Sequence, residues 1–373
     1  MKRIIPLLLA LCILFSACQS ANTPTAPTGG TLGSTASSTE NSTQDTTQDT
    51  TEDTTLEQVI PEPLYRHPLT GVGLNEPWYG RPVAVVVNNI KDAQPLYGIS
   101  RADILYEMET EGGITRMLAV FSDLTQVDKI GPVRSARTYF NNIALSYGAP
   151  LVHCGGSKAA LRGQYDDGYD TISRWQHINE QSNGKYFYRD QDRKQQGYAY
   201  EHTLFTTGEK LLQAMENKGY NVVSDVPSDF GLTFTDKPEI NGSTANKVTV
   251  KFQADKTTTM TYNPETGLYY AAQYGSDIVD AGNEKAVAFR NVLVLYTSQW
   301  FINDGTYYRS YYDLVGSGTG MYACDGQIIP IKWTRDTLRG TFSYFLEDGT
   351  PLTLGTGQSY IAVTYTKAQA SYS

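Results

Sequence analysis

The residue types best placed to do chemistry are cations at two strand-to-helix junctions. In IGPVRSARTYF, Arg134 and Arg137 are three apart, and in LVHCGGSKAAL, Ser157 and Lys158 follow a Gly-Gly turn. A helix N-terminus carries partial positive charge and free N–H groups, so its first turn ordinarily favours acids. Cations at such a place are compensated if an anion is held there. The competing arrangement turns Arg134 and Arg137 away to pair with acids such as Glu107 or Glu111. The pocket expected from the first arrangement uses Arg134, Arg137, Ser157 and Lys158 to hold a phosphate or carboxylate. Asn88, Glu107, His153 and His202 are its further wall candidates.

Other chemistries are poorly supported. His153 and Ser157 invite a nucleophile-and-base pairing, but C-G-G-S-K is not a G-x-S-x-G elbow, and Ser157 is expected as a helix cap. His153 reads either as a satisfied core histidine or as a polar site residue. Asp190, Asp192 and Glu201 have calcium-loop spacing, which Lys194 and Gln195 break. No His or Cys pair has zinc-ligand spacing. Neither a metal nor a cofactor is expected.

The elements that must position these residues begin with RPVAVVVNN. Val83 to Val87 form a nearly continuous apolar run, the pattern of a central strand covered on both faces. Asn88 and Asn89 end it, where open α/β sheets place binding groups and where a turn must also follow. ADILYEMETEGGITRMLAVF reads as a hairpin turning at Gly112-Gly113. That turn pairs Glu109 with Arg116, Met108 with Met117, Tyr106 with Ala119 and Ile104 with Phe121. It puts Ile104, Tyr106, Met108, Met117, Ala119 and Phe121 on one apolar face, and makes Glu109 and Arg116 a cross-strand ion pair. A helix then starts near GPVRSAR, capped by Ser135, with Ala136, Tyr139, Phe140, Ile143, Ala144 and Tyr147 as its buried stripe. Residues 164–205 read as a long surface excursion, and TTGEKLLQAMENKGY as a closing helix ended by Gly219.

The ends of the chain report on location. Lys2 and Arg3, an apolar run from Ile4 to Phe15, and Ser16-Ala17-Cys18 make a secretory leader, and FSAC looks like a bacterial lipoprotein processing site. Cys18 would carry the lipid. Residues 19–60, with the TQDTTQDTTEDTT segment and no Lys or Arg, form a disordered Thr/Ser/acidic tether. As a coil it would span on the order of 35 Å. The chain carries a net charge of -9. Setting aside +2 in the leader and -6 in the tether leaves -5 for the folded part, which excludes non-specific nucleic-acid binding. Cys154 and Cys324 are expected as unpaired buried thiols, with a bridge left open by the secreted location.

From about Pro238 the chain changes to short alternating strands bounded by Gly, Asn, Asp and Pro, a sandwich or barrel. Tyr269, Tyr270, Tyr307, Tyr308, Tyr311 and Tyr312 crowd this part; such rings can stack on sugars, but alternating tyrosines in strands are expected to pack. The fold class is α+β: a mixed α/β domain over 61–225, then a mainly antiparallel all-β domain over 238–368.

HPLTG, RPVAVVVNN, ADILYEMETEGGITR, IGPVRSAR and HCGGS together resemble the YerB-like family of bacterial lipoproteins. NVLVLY, DLVGSGTGMYACDGQIIPIKW and EDGTPLTLGTGQSYIAV resemble its second domain, and the likeness spans residues 66–364. It implies a two-domain lipoprotein and carries no catalytic assignment.

The reading that follows is an extracytoplasmic protein, lipid-anchored to the bacterial membrane, that serves as a binding or cell-envelope accessory protein. Its expected partners are the membrane, through lipid on Cys18, and an anionic envelope polymer or another envelope protein. A hydrolase of a phosphoester or cell-wall bond, with His153 or His202 as base and Glu107 as acid, is the alternative. A protein-interaction scaffold acting through the β-domain is the third.

Overall fold

Val83–Asn89 (β1) is buried along its whole length, as its run of valines requires. It lies beside a hairpin of Ile104–Glu109 (β2) and Thr115–Phe121 (β3), both also fully buried. Thr138–Ser146 (α1) leads to Leu151–His153 (β4), then Lys158–Arg162 (α2), His177–Asn179 (β5) and Gly208–Asn217 (α3). The computed structural model describes residues 62–162 and 177–373, so the leader, Cys18, the tether and residues 164–176 of the expected surface excursion lie outside the described residues.

The rest of the chain is strand-rich. Ser243–Thr244 (β6), Lys247–Gln253 (β7), Lys256–Asn263 (β8) and Leu268–Gln273 (β9) come first. Asn291–Tyr296 (β10), Gln299–Asn303 (β11), Tyr308–Tyr312 (β12), Gly316–Cys324 (β13) and Gln327–Arg335 (β14) follow. Ser343–Phe345 (β15), Ser359–Thr364 (β16) and Ala370–Tyr372 (β17) complete the set used below.

One mixed sheet of eleven strands runs β6-β14-β13-β10-β16-β2-β3-β1-β4-β5, with β15 beside β14. Strand β16, late in the chain, pairs in parallel with both β10 and β2, so one ladder joins the early and late segments. Residues 60–373 accordingly form one compact unit. A second, antiparallel sheet of six strands is built on β7, β8 and β9, with β17 at its edge. It packs on the face of the long sheet that carries Val85, Val87, Leu105, Met117 and Ala119, and Leu211, Ala214 and Met215 of α3 join the same core. The opposite face, with Ala84, Val86, Ile104, Tyr106, Leu118 and Val120, is covered by Ala136, Tyr139, Phe140, Ile143 and Tyr147. The expected apolar stripe of α1 is thus the buried one.

The hairpin register differs from expectation by one residue. Glu109 stands opposite Thr115, Met108 opposite Arg116, Glu107 opposite Met117 and Tyr106 opposite Leu118. The loop is wider than a two-residue turn: the Thr110 N–H donates to the Ile114 carbonyl (2.7 Å), and Glu111–Gly113 make one tight turn. Gly112 and Gly113 do take positive φ, 79° and 72°. Because strand side chains alternate with period two, a slip of one residue flips one strand's faces relative to the other, and Ile104, Tyr106 and Met108 lie on the face opposite Met117, Ala119 and Phe121. Glu109 and Arg116 therefore point to opposite sides of the sheet and make no ion pair.

The start of α1 also needs correction. Ser135 is not a cap. Residues 133–136 are extended: the Arg134 N–H donates to the Val86 carbonyl (2.9 Å) and the Ala136 N–H to the Gly155 carbonyl (3.0 Å). Sheet pairing claims these backbone groups, and the helix begins only at Thr138, with Arg137 in the N-cap position and no side-chain cap. The excursion after β5 is better ordered than its composition suggested. Asp190 caps a short helix by accepting from the Arg193 N–H (3.0 Å), and the buried Arg193 guanidinium donates to the Ala93 and His202 carbonyls (3.0 and 3.1 Å). Cys154 and Cys324 are both free.

Candidate functional site

Asn88 and Asn89 adjoin in β1, so their side chains leave on opposite faces of the sheet. The Asn89 amide donates to Glu107 Oε1 (2.7 Å) and to Thr115 Oγ1 (2.9 Å). The Asn88 amide donates to His202 Nδ1 at 2.9 Å. This alternation separates the wall residues expected together: Glu107 belongs to one side, Asn88 and His202 to the other.

On the Asn88 side the guanidinium groups of Arg116, Arg134 and Arg137 gather. Arg116 stands directly opposite Asn88 in register, because of the shifted hairpin. One of its N–H groups donates to the Ser135 carbonyl (2.9 Å), while its Nε is enclosed without an acceptor. Burial, then the charges of Arg137 and Arg134, push its pKa down to about 9. Arg137 donates from Nε to Glu111 Oε2 (2.9 Å) and from a second nitrogen to Oε1 of the same carboxylate. Burial opposes ionisation of Glu111, but the Arg137 hydrogen bond and charge outweigh it and hold that carboxyl at about 2. Glu111 also accepts from Arg309, whose Nε donates to Asp304 Oδ2 (2.9 Å). Lys158 is engaged as well, donating to the Asp304 carbonyl at 2.8 Å. Ser157 is the expected cap, accepting from the Ala160 N–H at 3.3 Å.

Arg134 is different. Its backbone is fixed between β1 and β4, its carbonyl accepting from the Cys154 N–H at 3.0 Å. Its half-buried guanidinium has no hydrogen bond or ion pair among the described residues, and its Nε is enclosed without an acceptor. Burial pulls its pKa down, the charge of Glu201 acts in the opposite sense, and Arg137 and Arg189 add to the fall. Arg189 likewise has an enclosed Nε without an acceptor. His202 is buried, and its pKa is lowered by that burial and by Arg134.

His153 is spoken for on both nitrogens. Its Nδ1 donates to the Gly155 carbonyl (2.7 Å), which leaves Nε2 to accept from His177 Nδ1 (3.0 Å). Burial lowers the His153 pKa to about 4. Glu107, on the other face, accepts from Asn89, Thr115, Thr258, Gln273 and Tyr360 and lies 3.5 Å from Lys256 Nζ. Burial drives the Lys256 pKa down to about 8, with Glu107 opposing the fall. The members of both groups that sequence reading passed over, Arg116 and Arg189 on one side and Lys256, Thr258, Gln273 and Tyr360 on the other, carry no local motif. Only the true hairpin register would have put Arg116 beside Asn88.

Comparison with known proteins adds the following. Residues 69–221 match the family described as the N-terminal domain of a protein of unknown function (DUF3048), and residues 248–361 match its C-terminal domain. A relative from Bacillus subtilis (strain 168), named "Putative lipoprotein YerB", is 30% identical over 271 residues, covering 71% of this chain and 77% of that protein. The crystal structure of the YerB protein from Bacillus subtilis matches with a TM-score of 0.70 at 28% identity, covering 83% of this chain and 99% of that one. The resemblance seen in the sequence motifs is therefore real. No helix of the described residues is long and apolar enough to cross a membrane.

Proposed function

The chain belongs to the DUF3048 family, and from that premise we propose that it is an extracytoplasmic, lipid-anchored binding protein of the bacterial cell envelope. The leader, Cys18 and the acidic tether support the location, as does likeness to a relative named as a lipoprotein. The ligand is an oxyanion, a phosphate or carboxylate on an envelope polymer or fragment, held at Arg134.

The observation that carries this reading is the guanidinium of Arg134, half-buried and without a hydrogen bond or ion pair among the described residues. A half-buried cation that no carboxylate contacts, Glu201 acting on it only from beyond ion-pair distance, is costly, and a planar guanidinium is suited to bidentate contact with an oxyanion. Arg116 and Arg189 each offer an enclosed Nε lacking an acceptor. Arg137 and Lys158 have internal partners, so their role is to hold the helix starts rather than to meet the ligand. The hydrolase arrangement needs Glu107 and a histidine in one cleft, whereas the sheet lies between Glu107 and the Asn88–His202 pair.

A thermal-shift screen with phosphate, sulfate, teichoic-acid fragments and muropeptides tests the proposal. Saturable stabilisation that disappears in Arg134→Ala supports it. Stabilisation that survives the substitution, or none by any anion, rejects it.

A further inference from the structure

A cavity of about 400 Å³ opens where α1 meets the β11–β12 hairpin. It is lined by Thr138 and Asn142, one turn apart on α1, and by Trp300, Asp313, Leu314 and Leu338. We propose that this cavity binds a pyranose segment of a glycan. The proposal is independent of the oxyanion at Arg134.

Trp300 supplies the platform. Its indole is 43% exposed and stacks against Tyr311, with ring centroids 6.0 Å apart and planes inclined by 21°. A large aromatic ring held rigid from behind and left open in front has the shape to receive the apolar C–H face of a sugar ring. Polar groups without hydrogen-bond partners also line it. Asn142 is only 5% exposed, and its Oδ1 is enclosed without a donor. No hydrogen bond to its side-chain amide occurs among the described residues, nor to the hydroxyl of Thr138 or the carboxylate of Asp313. A buried amide oxygen left unpaired is destabilising, a cost that a ligand carrying donors removes.

These features select among ligand classes. No Lys or Arg lines the cavity and Asp313 does, so an anion is disfavoured. A purely apolar ligand would leave the buried Asn142 and Thr138 unmatched. Vicinal hydroxyls donate to a carboxylate and exchange hydrogen bonds with an amide, while the ring carbons cover the indole. The volume lies at the lower end of the roughly 300–1,000 Å³ range of ligand sites, which suits a short glycan segment.

The test titrates the full chain with chitotetraose, cellotetraose and maltotetraose, by calorimetry and by saturation-transfer NMR. Saturable binding of one of them, with Kd of roughly 10 µM to 1 mM, is expected. Trp300→Ala and the near-isosteric Asp313→Asn should each weaken it at least about tenfold. Arg134→Ala should leave it unchanged, which separates this cavity from the anion site. Asp313→Asn keeps the test valid if Trp300→Ala disturbs the hairpin. Absence of saturable binding by all three sugars overturns the proposal. So does binding indifferent to both substitutions, or saturable binding of free indole without any sugar.

Discussion

Glu107 and Lys256 face each other across the two packed sheets, Oε1 and Nζ 3.5 Å apart, with 0% and 2% of their side chains exposed. They are not equivalent partners. Glu107 accepts from Asn89, Thr115, Thr258, Gln273 and Tyr360, whereas Lys256 donates to Gln273 Oε1 at 2.7 Å and lies over the Tyr274 ring at 4.5 Å. Removing the acid strands a buried cation and several donors at once; removing the lysine leaves a carboxylate still surrounded by neutral donors. Glu107→Ala should therefore lower stability by roughly 3–5 kcal/mol. Lys256→Met should cost well under half as much. Urea midpoints measure both, and equal losses would show that the ion pair, not the hydrogen bonds to Glu107, carries the network.

Arg134 and Arg137 should separate ligand response from stability. Arg137 is tied to Glu111, so Arg137→Ala leaves that acid half-paired and should cost about 1–3 kcal/mol in chemical denaturation. Arg134→Met removes a half-buried charge that makes no hydrogen bond or ion pair among the described residues, and should leave stability unchanged or raised while abolishing any anion response. A destabilised Arg134→Met would mean that the guanidinium has an internal role.

Acid should destabilise the fold through its histidines. Burial lowers the pKa of all four: His67 and His153 to about 4, and His177 and His202 in the same direction. A histidine whose folded pKa lies below its unfolded value binds more protons when unfolded, so stability rises with pH across that window and falls as pH drops from 6.5 towards 4. His153 alone should account for roughly 3 kcal/mol of the loss. His153→Gln should flatten the stability curve between those pH values, and an unchanged slope would remove His153 from the account.

Gly208 opens α3, and ordinary helix propensity would favour alanine there by about 1 kcal/mol. A Cβ at this position, however, would sit 1.8 Å from the Leu124 carbonyl oxygen and 3.0 Å from that of Val127. Gly208→Ala should lower the melting temperature, opposite in sign to the propensity. A gain in stability would mean that the Leu124 turn can move aside freely.

Cys154 and Cys324 should behave as inert thiols. Burial raises both to about 11, and Cys154 donates to Glu180 Oε2 at 3.3 Å. Labelling by a thiolate-seeking reagent at pH 8 should be slow in the native protein and rapid in denaturant, giving two thiols from residue 60 onward. Loss of both after oxidation in the folded state would indicate that they can reach each other.

The sequence by itself determined the local elements and the family. Five apolar residues at Val83–Val87 can only be covered on both faces, the spacing of Tyr139, Phe140, Ile143 and Tyr147 defines one helical side, and Ser157 caps the helix that follows it. Motif order was enough to reveal the family.

Tertiary structure decided which functional groups meet. The number of loop residues around Gly112-Gly113 sets the hairpin register, and one residue more or less exchanges every side chain between the faces. That choice sent Glu107 towards Lys256 and placed Arg116 beside Asn88. Pairing of residues 133–136 with β1 and the end of β4 made Arg134 part of the sheet rather than of the helix it was expected to open. The ladder from β10 through β16 to β2 joined segments more than two hundred residues apart. Such contacts depend on packing between distant parts of the chain, and local propensity and periodicity contain no information about them.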